Sequence, residues 1–327
     1  MIPSDPCVVG VDIGGTSTRA VLASRSQILA TAVGRGSNPI SLGYDIALAT
    51  WAEVIRTAIA TFVDVYGIDP VVEHCMVGGA GASSYPLESA RAYARLQAAS
   101  GSRRTPTLSS DVSVAFASAT SSPEGLVIVA GTGAVAARVR GPEVLEFVDG
   151  NGWLVGDAGS GHWIGVEAAR SVLASYQNGP STLLRQLVVD NASLENSWNA
   201  VTRWIYDLPP RGLARLAPLV SAAAADQDPV AEDILDRAAD ELIASLARLA
   251  PVSTDGPIVL AGSIAKSPGV LLSRLESEIL ARWGLSAIPA GEGAVGAARL
   301  AWREVDRDSG LLRDSRVSDG LCKGFCF

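Results

Sequence analysis

The chain has 327 residues and a formal net charge of −8 at pH 7, and 48% of its residues are hydrophobic against 18% charged. This length exceeds one small core and predicts two domains, and the composition excludes a disordered chain. The negative charge argues against a nucleic-acid-binding surface, whose usual mark is a basic patch.

Cysteine use and hydropathy indicate a cytoplasmic protein. The four cysteines, Cys7, Cys75, Cys322 and Cys326, are scattered, which suits a reducing compartment better than a disulfide scaffold. The sequence shows neither the pattern of a signal peptide nor an uninterrupted apolar run of about 18 residues, the length that spans a membrane. We therefore expect no membrane contact.

Strand and helix patterns alternate along the chain in two successive halves. The first half predicts strands at 8–10, 20–23, 28–33, 75–77 and 107–108 and helices at 45–66 and 87–99. The second half predicts strands at 126–130, 135–139 and 258–261 and helices at 163–175, 229–249, 269–283 and 292–305. Strands followed by helices, twice over, predict two α/β domains with a cleft between them.

The first predicted strand ends in an aspartate, two glycines and three hydroxyl side chains. Asp12 would face the gap where the strand stops and hold Mg²⁺, through water because that ion keeps much of its hydration shell. Two glycines permit a tight turn in which backbone N–H groups and hydroxyls approach a phosphate, although an ordinary hairpin with a polar tip gives the same pattern. The expected phosphate contacts are Gly14, Gly15, Thr16, Ser17 and Thr18.

Two more turns of small residues follow apolar runs later in the chain. Gly131-Thr132-Gly133 follows the run 126–130, and Gly262-Ser263 follows the run 258–261. Three such turns suggest one nucleotide held between two related halves. A Walker-type loop and the dinucleotide-binding glycine pattern are both absent from the sequence, which disfavours those nucleotide sites.

Six short motifs then occur in a fixed order. They are Asp12-Ile13-Gly14-Gly15-Thr16, Ser109-Ser110-Asp111, Ala130-Gly131-Thr132-Gly133, Gly156-Asp157-Ala158-Gly159-Ser160-Gly161, Ala261-Gly262-Ser263-Ile264 and Gly291-Glu292-Gly293-Ala294-Val295-Gly296-Ala297. In this order they resemble the N-acetylglucosamine kinase branch of the superfamily of sugar kinases, heat-shock ATPases and actin. The branch also contains the benzoyl-CoA reductase activase ATPases of the BadF-BadG-BcrA-BcrD type, and the resemblance covers about residues 8–303.

The resemblance implies two actin-like (ribonuclease H-like) α/β domains with a nucleotide and sugar cleft between them. The first domain would comprise residues 1–112 with a returning helix at about 292–305, and the second residues 113–291. Residues 306–327 would form a polar tail. By the same resemblance the protein is expected to be a homodimer.

The implied reaction transfers the γ-phosphoryl group of ATP, with Mg²⁺, to a sugar hydroxyl. The attacking hydroxyl must lose its proton, and an aspartate within hydrogen-bond reach can accept it. Asp111 is the candidate base, at a strand-to-helix junction where the helix N-terminus favours an ionised carboxylate. The alternative for Asp111 is a helix cap, since Ser-Ser-Asp is also an ordinary helix start.

The resemblance also assigns the remaining contacts. Asp157 would hold sugar hydroxyls, with a helix cap again as the alternative. Where relatives carry glutamate or glutamine and a tryptophan, this chain has Ala158 and Asn151, with Trp153 two positions on. The implied sugar contacts are Asn38, Asp111, Thr132, Gly133, Asn151, Asp157 and Gly161. The implied ATP contacts in the second half are Gly131, Thr132, Gly133, Gly262, Ser263 and Lys266.

The favoured function is phosphorylation of the 6-hydroxyl of N-acetylglucosamine. A glucosamine kinase is the near alternative: an acetyl group needs an apolar niche, whereas a free ammonium needs a carboxylate such as Asp149. His162 is a further candidate for substrate contact. An ATPase that activates a reductase would need cluster-binding cysteines in mid-chain, and a sugar-binding regulator would carry an added helix-turn-helix domain. Neither feature is expected here.

Overall fold

A computed structural model of the chain describes residues 5–79, 90–250 and 256–309, which fall into two compact units. The first unit comprises Met1–Glu124, Val139–Val144 and Ala290–Phe327, and the second comprises Gly125–Arg138 and Leu145–Pro289. The first unit is therefore assembled from three separate stretches of chain.

The described residues form ten strands and eleven α-helices. The strands are β1 (Cys7–Ile13), β2 (Ser17–Ala23), β3 (Ile28–Arg35), β4 (Val72–Gly79), β5 (Thr107–Ser109), β6 (Glu124–Ala130), β7 (Ala134–Arg140), β8 (Glu143–Asp149), β9 (Ile258–Ala261) and β10 (Ile288–Pro289). The helices are α1 (Pro39–Leu42), α2 (Tyr44–Tyr66), α3 (Ala90–Ser100), α4 (Asp111–Ala119), α5 (Gly161–Ser175), α6 (Leu183–Asn191), α7 (Trp198–Asp207), α8 (Ala217–Ala225), α9 (Pro229–Leu249), α10 (Val270–Trp283) and α11 (Gly293–Asp308). A short 3-10 helix, Gly212–Leu216, precedes α8.

The first unit is built on a five-stranded sheet in the order β3-β2-β1-β4-β5. β1 pairs antiparallel with β2 and parallel with β4, and β4 pairs parallel with β5. Val8, Val9 and Val11 of β1 are fully buried because helices cover the sheet from both faces. The parallel strands β1, β4 and β5 consequently end at one edge, where their polar motifs follow.

Helix α2 has the length and apolarity of a membrane span, but it is a core helix of the first unit. Its side chains Trp51, Ile55 and Phe62 are buried in one cluster with Val9 and Val11 of β1. The helix ends at Gly67, which adopts the left-handed conformation (φ 71°) that favours glycine at a helix C-terminus.

Helix α11 returns to the first unit and packs on β1, β4 and α4 at very close range. A Cβ at Gly10 of β1 would overlap the carbonyl oxygen of Ala294, and one at Gly296 would overlap the carbonyl oxygen of Val114. Only glycine lets these backbones approach so closely. The glycine- and alanine-rich start of α11 thus follows from the packing that the helix must make.

The second unit carries the second sheet, in the order β10-β9-β6-β7-β8, with β6 and β10 both parallel to β9. Its core joins Leu126 and Ile128 of β6 to apolar side chains of α5, α8 and α9, among them Ile164, Val220 and Leu242. The sheet and these helices hold the turns after β6 and β9 in fixed positions.

The structure revises several sequence expectations. The first stretch of the first unit ends at Glu124 rather than at residue 112, because α4 packs on α11 and β4. The returning helix is α11, which runs beyond residue 305 to Asp308, and the rest of the expected tail from residue 310 lies outside the described residues, as does the start of the helix expected at 87–99. Elements α1, β8, α6, α7, α8 and β10 and the 3-10 helix Gly212–Leu216 were not predicted.

Candidate functional site

The turn between β1 and β2 in the first unit is closed by its own backbone and open to solvent. The Gly14 N–H donates to the Ser17 carbonyl at 2.9 Å, and Gly15 and Thr16 are exposed. A Cβ on Gly15 would meet no atom within 4 Å, so a ligand can approach the backbone there. Phosphate contacts by Gly14, Gly15, Thr16 and Ser17 stay predictions with a suitable geometry.

Thr18 does not face this opening. It is fully buried in β2, and its hydroxyl is hydrogen-bonded to the hydroxyl of Ser37, which also accepts from Nε1 of Trp51 at 3.0 Å. The expected contact between Thr18 and phosphate is therefore corrected: this residue anchors the turn from the core side. The physical reason is that successive side chains of a strand point to opposite faces.

Asp12 and Asp111 bring carboxyl groups to the same edge of the first sheet. Asp12 pairs in register with Gly78 of β4, and Gly78 pairs with Ser109 of β5. Asp111 follows Ser109 by two residues and is the first residue of α4. The cap of α4 is Ser110, whose Oγ accepts the N–H of Ser113 at 3.0 Å, so the Asp111 carboxylate is not used as the cap.

The surroundings of these two aspartates favour their neutral forms. Burial raises the pKa of Asp12 to about 6, and the Asp111 carboxylate adds to this rise. Arg19 opposes the rise in the pKa of Asp12, and Glu292 contributes to it. Burial also raises the pKa of Asp111, against hydrogen bonds from backbone N–H groups at Val112 and Asp111. The positive charge near the two acids is thus too small to stabilise both of their ionised forms.

This donor set fits a divalent cation bound through water. Within the described ranges, no group of three or more His, Cys, Asp or Glu side chains could hold a metal ion directly. Mg²⁺ needs only one or two carboxylates because it keeps several of its waters. Gly293 leaves space beside Asp12, since a Cβ there would lie 2.6 Å from Oδ2 of Asp12. A cation would supply the charge that these acids lack.

Asn38 lies in the first unit between β3 and α1. Its carbonyl accepts the N–H of Leu42 at 3.1 Å, and the residue is half-buried. The neighbouring Ser37 donates its N–H to the Gly14 carbonyl at 3.2 Å, which ties this segment to the phosphate turn. A sugar contact by Asn38 stays a prediction.

In the second unit, three of the sequence motifs meet through backbone hydrogen bonds. The N–H of Gly161 donates to the Gly131 carbonyl at 2.8 Å, and the N–H of His162 donates to the Thr132 carbonyl at 3.2 Å. The N–H of Ile264 donates to the Ala130 carbonyl at 2.9 Å. The turn 131–133 is consequently held between the start of α5 and the turn after β9.

Asp157 presents a buried carboxylate to this turn. Its Oδ1 accepts the N–H of Ala134 at 3.3 Å, and its Oδ2 has no hydrogen-bond partner among the described residues. A Cβ on Gly133 would lie 2.8 Å from that Oδ2. The cap of α5 is Ser160, so Asp157 is not a helix cap. A buried carboxylate oxygen without a protein partner is uncommon, and a bound ligand, ion or water can supply that partner.

Asp149 has a structural role in the loop that precedes α5. Its Oδ1 accepts the N–H of Asp157 at 2.8 Å, and its Oδ2 accepts the N–H of Ala158 at 2.7 Å. Both oxygens therefore fix the loop that positions Asp157. Pairing of Asp149 with a substrate ammonium stays an open alternative, for a carboxylate that the backbone already uses.

The loop between Asp149 and α5 carries Asn151 and Trp153, and His162 is the second residue of α5. Asn151 is exposed, and its N–H donates to Oδ1 of Asp149 at 3.4 Å. The Trp153 ring meets the His162 ring edge-on, with centroids 5.6 Å apart. Burial lowers the pKa of His162, against a hydrogen bond to the Arg211 backbone and the charge of Asp157, and the charge of Arg211 lowers it too.

Arg211 was not predicted from the sequence. It precedes the short 3-10 helix in the left-handed conformation (φ 64°), and its Nη2 lies 3.9 Å from Oδ2 of Asp157. The residue stands in a segment without a motif, and only the packing of that segment on α5 brings it to Asp157. The one sequence signal was an arginine after two prolines, which is a common pattern in loops.

The turn after β9 borders an apolar slot of the second unit. Gly262 has a φ of 88°, and a Cβ there would overlap the Ala130 carbonyl, so this position requires glycine. Ser263 is exposed, and the Lys266 N–H donates to the Gly262 carbonyl at 3.3 Å. The adjacent cavity has a volume of about 100 Å³. Ile164, Leu235, Ile264, Pro268 and Leu271 are among its lining residues.

Two α/β units, with open glycine turns at strand ends and buried acids beside them, define the actin-like fold of sugar kinases and related ATPases. The chain belongs to the BadF/BadG/BcrA/BcrD ATPase family, which matches residues 9–301. Membership implies the use of ATP.

Curated relatives and solved structures agree with this assignment. The chain is 29% identical to an N-acetyl-D-glucosamine kinase of Dictyostelium discoideum, over 90% of this chain and 97% of that protein. It is 28% identical to the glucosamine kinase GspK of Vibrio cholerae, over 79% and 85% of the two chains. A protein provisionally assigned as an N-acetylglucosamine kinase, from Chromobacterium violaceum, superposes with a TM-score of 0.68 at 25% identity, over 91% and 100% of the two chains.

Proposed function

We propose that this protein is an ATP-dependent amino-sugar kinase that phosphorylates the 6-hydroxyl of N-acetylglucosamine. The observation that carries the proposal is the Asp111 carboxyl group, which begins α4 without serving as its cap and has a raised pKa. A base with a raised pKa accepts a proton readily near neutral pH, which is what a sugar hydroxyl requires when it attacks a phosphoryl group.

The residues of each unit have separate tasks in this proposal. In the first unit, Asp111 takes the proton of the attacking hydroxyl, and the turn Gly14–Ser17 binds ATP phosphates through backbone N–H groups and hydroxyls. Mg²⁺, held through water at Asp12, neutralises phosphate charge when it is bound. In the second unit, the turn Gly131–Gly133 contacts phosphate and sugar.

Sugar hydroxyls would be held in the second unit as well. Asp157 offers the unpartnered Oδ2, and an ionised carboxylate accepts two neighbouring hydroxyl donors well. Asn151 and Gly161 lie on the same loop and are assigned sugar contacts with it, as is Asn38 of the first unit. The apolar slot beside Gly262, Ser263 and Lys266 is suited to the adenosine part of the nucleotide.

A glucosamine kinase is the nearest alternative, since one relative is named for that substrate. The Asp149 oxygens already accept two backbone N–H groups, which leaves fewer acceptor sites for the ammonium that such a substrate carries. An activator of a reductase would bind a cluster through cysteines, of which the described residues include Cys7 and Cys75. Both are buried, and burial raises the pKa of each to about 12, which opposes the thiolate that a metal needs.

The direct test is ADP release from Mg·ATP with N-acetylglucosamine, glucosamine, glucose, N-acetylmuramic acid or no sugar. Strong stimulation by N-acetylglucosamine, with the product phosphorylated at the 6-hydroxyl by NMR, is the expected result. Equal ADP release with and without sugar, or none, would contradict the kinase. We also propose a homodimer that works in the cytoplasm, which light scattering and cell fractionation would test.

A further inference from the structure

We propose that Arg211 is a specificity-determining residue that makes this kinase prefer amino sugars whose nitrogen is acylated over those with a free ammonium. The inference rests on the proposed function, and it concerns what the loop of residues 149–162 will accept. It follows from the charges that surround Asp157.

Arg211 places a positive charge at the carboxylate assigned to the sugar. Its Nη2 lies 3.9 Å from Oδ2 of Asp157, too far for a hydrogen bond, and its side chain is 49% exposed while that of Asp157 is 5% exposed. A Cβ added to Gly152 would lie 4.0 Å from the same nitrogen. The guanidinium therefore spans from the loop to the buried carboxylate with donors left for a ligand.

Each carboxylate of this loop already has a favourable interaction within the fold. The Asp149 oxygens accept the backbone N–H groups of Asp157 and Ala158 at 2.8 and 2.7 Å. The charge of Asp157 is already opposed by Arg211. A free ammonium held here would meet a like charge, whereas an acylated nitrogen is neutral and avoids that repulsion.

The same loop offers the apolar surface that an acyl group needs. Trp153 is 38% exposed and stands edge-on to His162, and Leu154 and Val155 beside it are 75% and 80% exposed.

The test compares kcat/KM for N-acetylglucosamine, glucosamine and glucose in the wild type and three variants. Arg211→Gln removes the charge, and Arg211→Lys keeps it. Arg215→Gln is the matched control, because it removes an exposed charge from the short 3-10 helix that Arg211 precedes. Glucose is the neutral reference. Because a ratio of kcat/KM values does not depend on the amount of active enzyme, partial misfolding of a variant leaves the readout intact.

In the wild type, N-acetylglucosamine should be preferred to glucosamine. Arg211→Gln should raise the glucosamine-to-glucose ratio about tenfold, the effect of one charge at short range in a partly solvated site. Arg211→Lys and Arg215→Gln should leave that ratio within about twofold of the wild type. An unchanged ratio in Arg211→Gln or an equal rise in Arg215→Gln would overturn the inference alone. A wild type that prefers glucosamine would overturn both the inference and the proposed choice of N-acetylglucosamine as substrate. A wild type that phosphorylates no sugar would overturn the proposed function and this inference with it.

Discussion

At the scale of single residues, the acids of the first unit share an environment that suits the two tasks we propose for them. Asp12 lies near the end of β1, and Asp111 follows the end of β5 at the same edge of the sheet. Burial raises the pKa of both aspartates. For Asp111 the raised pKa favours proton acceptance. For Asp12 it means that the ionised form is unstable until positive charge arrives.

Replacing Asp111 by asparagine should lower kcat at least about a hundredfold, the lower end of acid–base contributions, and leave nucleotide affinity nearly unchanged. The change keeps the size of the side chain and removes the proton acceptor. Steady-state kinetics and calorimetric titration with a non-hydrolysable nucleotide measure the two quantities. Ser110→Ala is the matched control, because it removes the cap of α4 and should cost about 1 kcal/mol of stability without a comparable loss of kcat. Near-normal turnover in Asp111→Asn would remove this residue from the mechanism.

Replacing Asp12 by asparagine should stabilise the protein at neutral pH while it impairs the use of Mg²⁺. The folded state holds the Asp12 proton more tightly than the unfolded state, so stability is lost as pH rises from about 4, the unfolded pKa, through the folded pKa of about 6. The variant should therefore gain about 1–3 kcal/mol above pH 7 and nothing below pH 4. Urea unfolding at several pH values measures this gain. If Asp12→Asn instead lowered the free energy of unfolding at pH 8, the ionised Asp12 carboxylate would not be destabilising in the folded state.

At the scale of elements, the attachment of α11 to the first sheet depends on a buried polar contact. His74 of β4 is hydrogen-bonded through Nε2 to Oε2 of Glu304 at 2.7 Å, and Thr107 of β5 donates to the same oxygen at 3.2 Å. Burial alone would raise the pKa of Glu304, but the hydrogen bond and charge of His74, with help from Thr107 and Arg307, bring it below its ordinary value.

Glu304→Gln should reduce the free energy of unfolding by about 1–3 kcal/mol at pH 7, since a buried charged partner is lost. The lowered pKa means that Glu304 stabilises the fold above its unfolded pKa of about 4.3 and that this contribution disappears as pH falls through the folded value. The difference between variant and wild type should therefore shrink on acidification, as chemical unfolding would show. Asp308→Asn is the control: it removes the exposed partner of Arg104 and should cost less than about 1 kcal/mol. Equal losses in the two variants would contradict the role given to Glu304.

Some elements could be predicted to the residue, and others could not. Helix α9 begins and ends as predicted, at Pro229 and Leu249, because Asp228 caps it and proline occupies its first turn. Strand β8 was missed because it lies at the edge of the sheet and exposes Leu145 and Phe147. Its apolar residues therefore do not alternate with polar ones in the way that marks a strand with one buried face. The burial of Thr18 follows from strand alternation, but the sequence alone did not show that β2 begins as early as Ser17.

At the scale of the whole molecule, the fold class, the family and the order of the motifs could all be predicted from the sequence, and the charge around the candidate sugar site could not. Arg211 and the occupied oxygens of Asp149 depend on how a loop and a distant helical segment pack. Such contacts join residues that are far apart in sequence. They leave no periodic pattern, so only the structure reveals them.

Binding of Mg·ATP should stabilise the whole protein against heat. A ligand at about 100 times its Kd adds about 2.7 kcal/mol to the stability of the folded state when it binds that state alone. The melting temperature, followed by differential scanning calorimetry with a non-hydrolysable analogue, should rise with the logarithm of ligand concentration. The same concentration series without Mg²⁺ is the control and should give smaller shifts. A melting temperature that does not respond to nucleotide would contradict ATP binding.

The first unit is assembled from stretches at both ends of the chain, and this has a consequence for synthesis on the ribosome. The strands β1, β2 and β4 emerge early, but the helix that covers one of their faces, α11, emerges only after the entire second unit. Val8, Val21 and Met76, which are buried beneath α11, must stay uncovered during that time. Exposed apolar strands of this kind are prone to aggregate. We therefore expect the nascent chain to depend on chaperones between translation of its first strands and translation of its last helix.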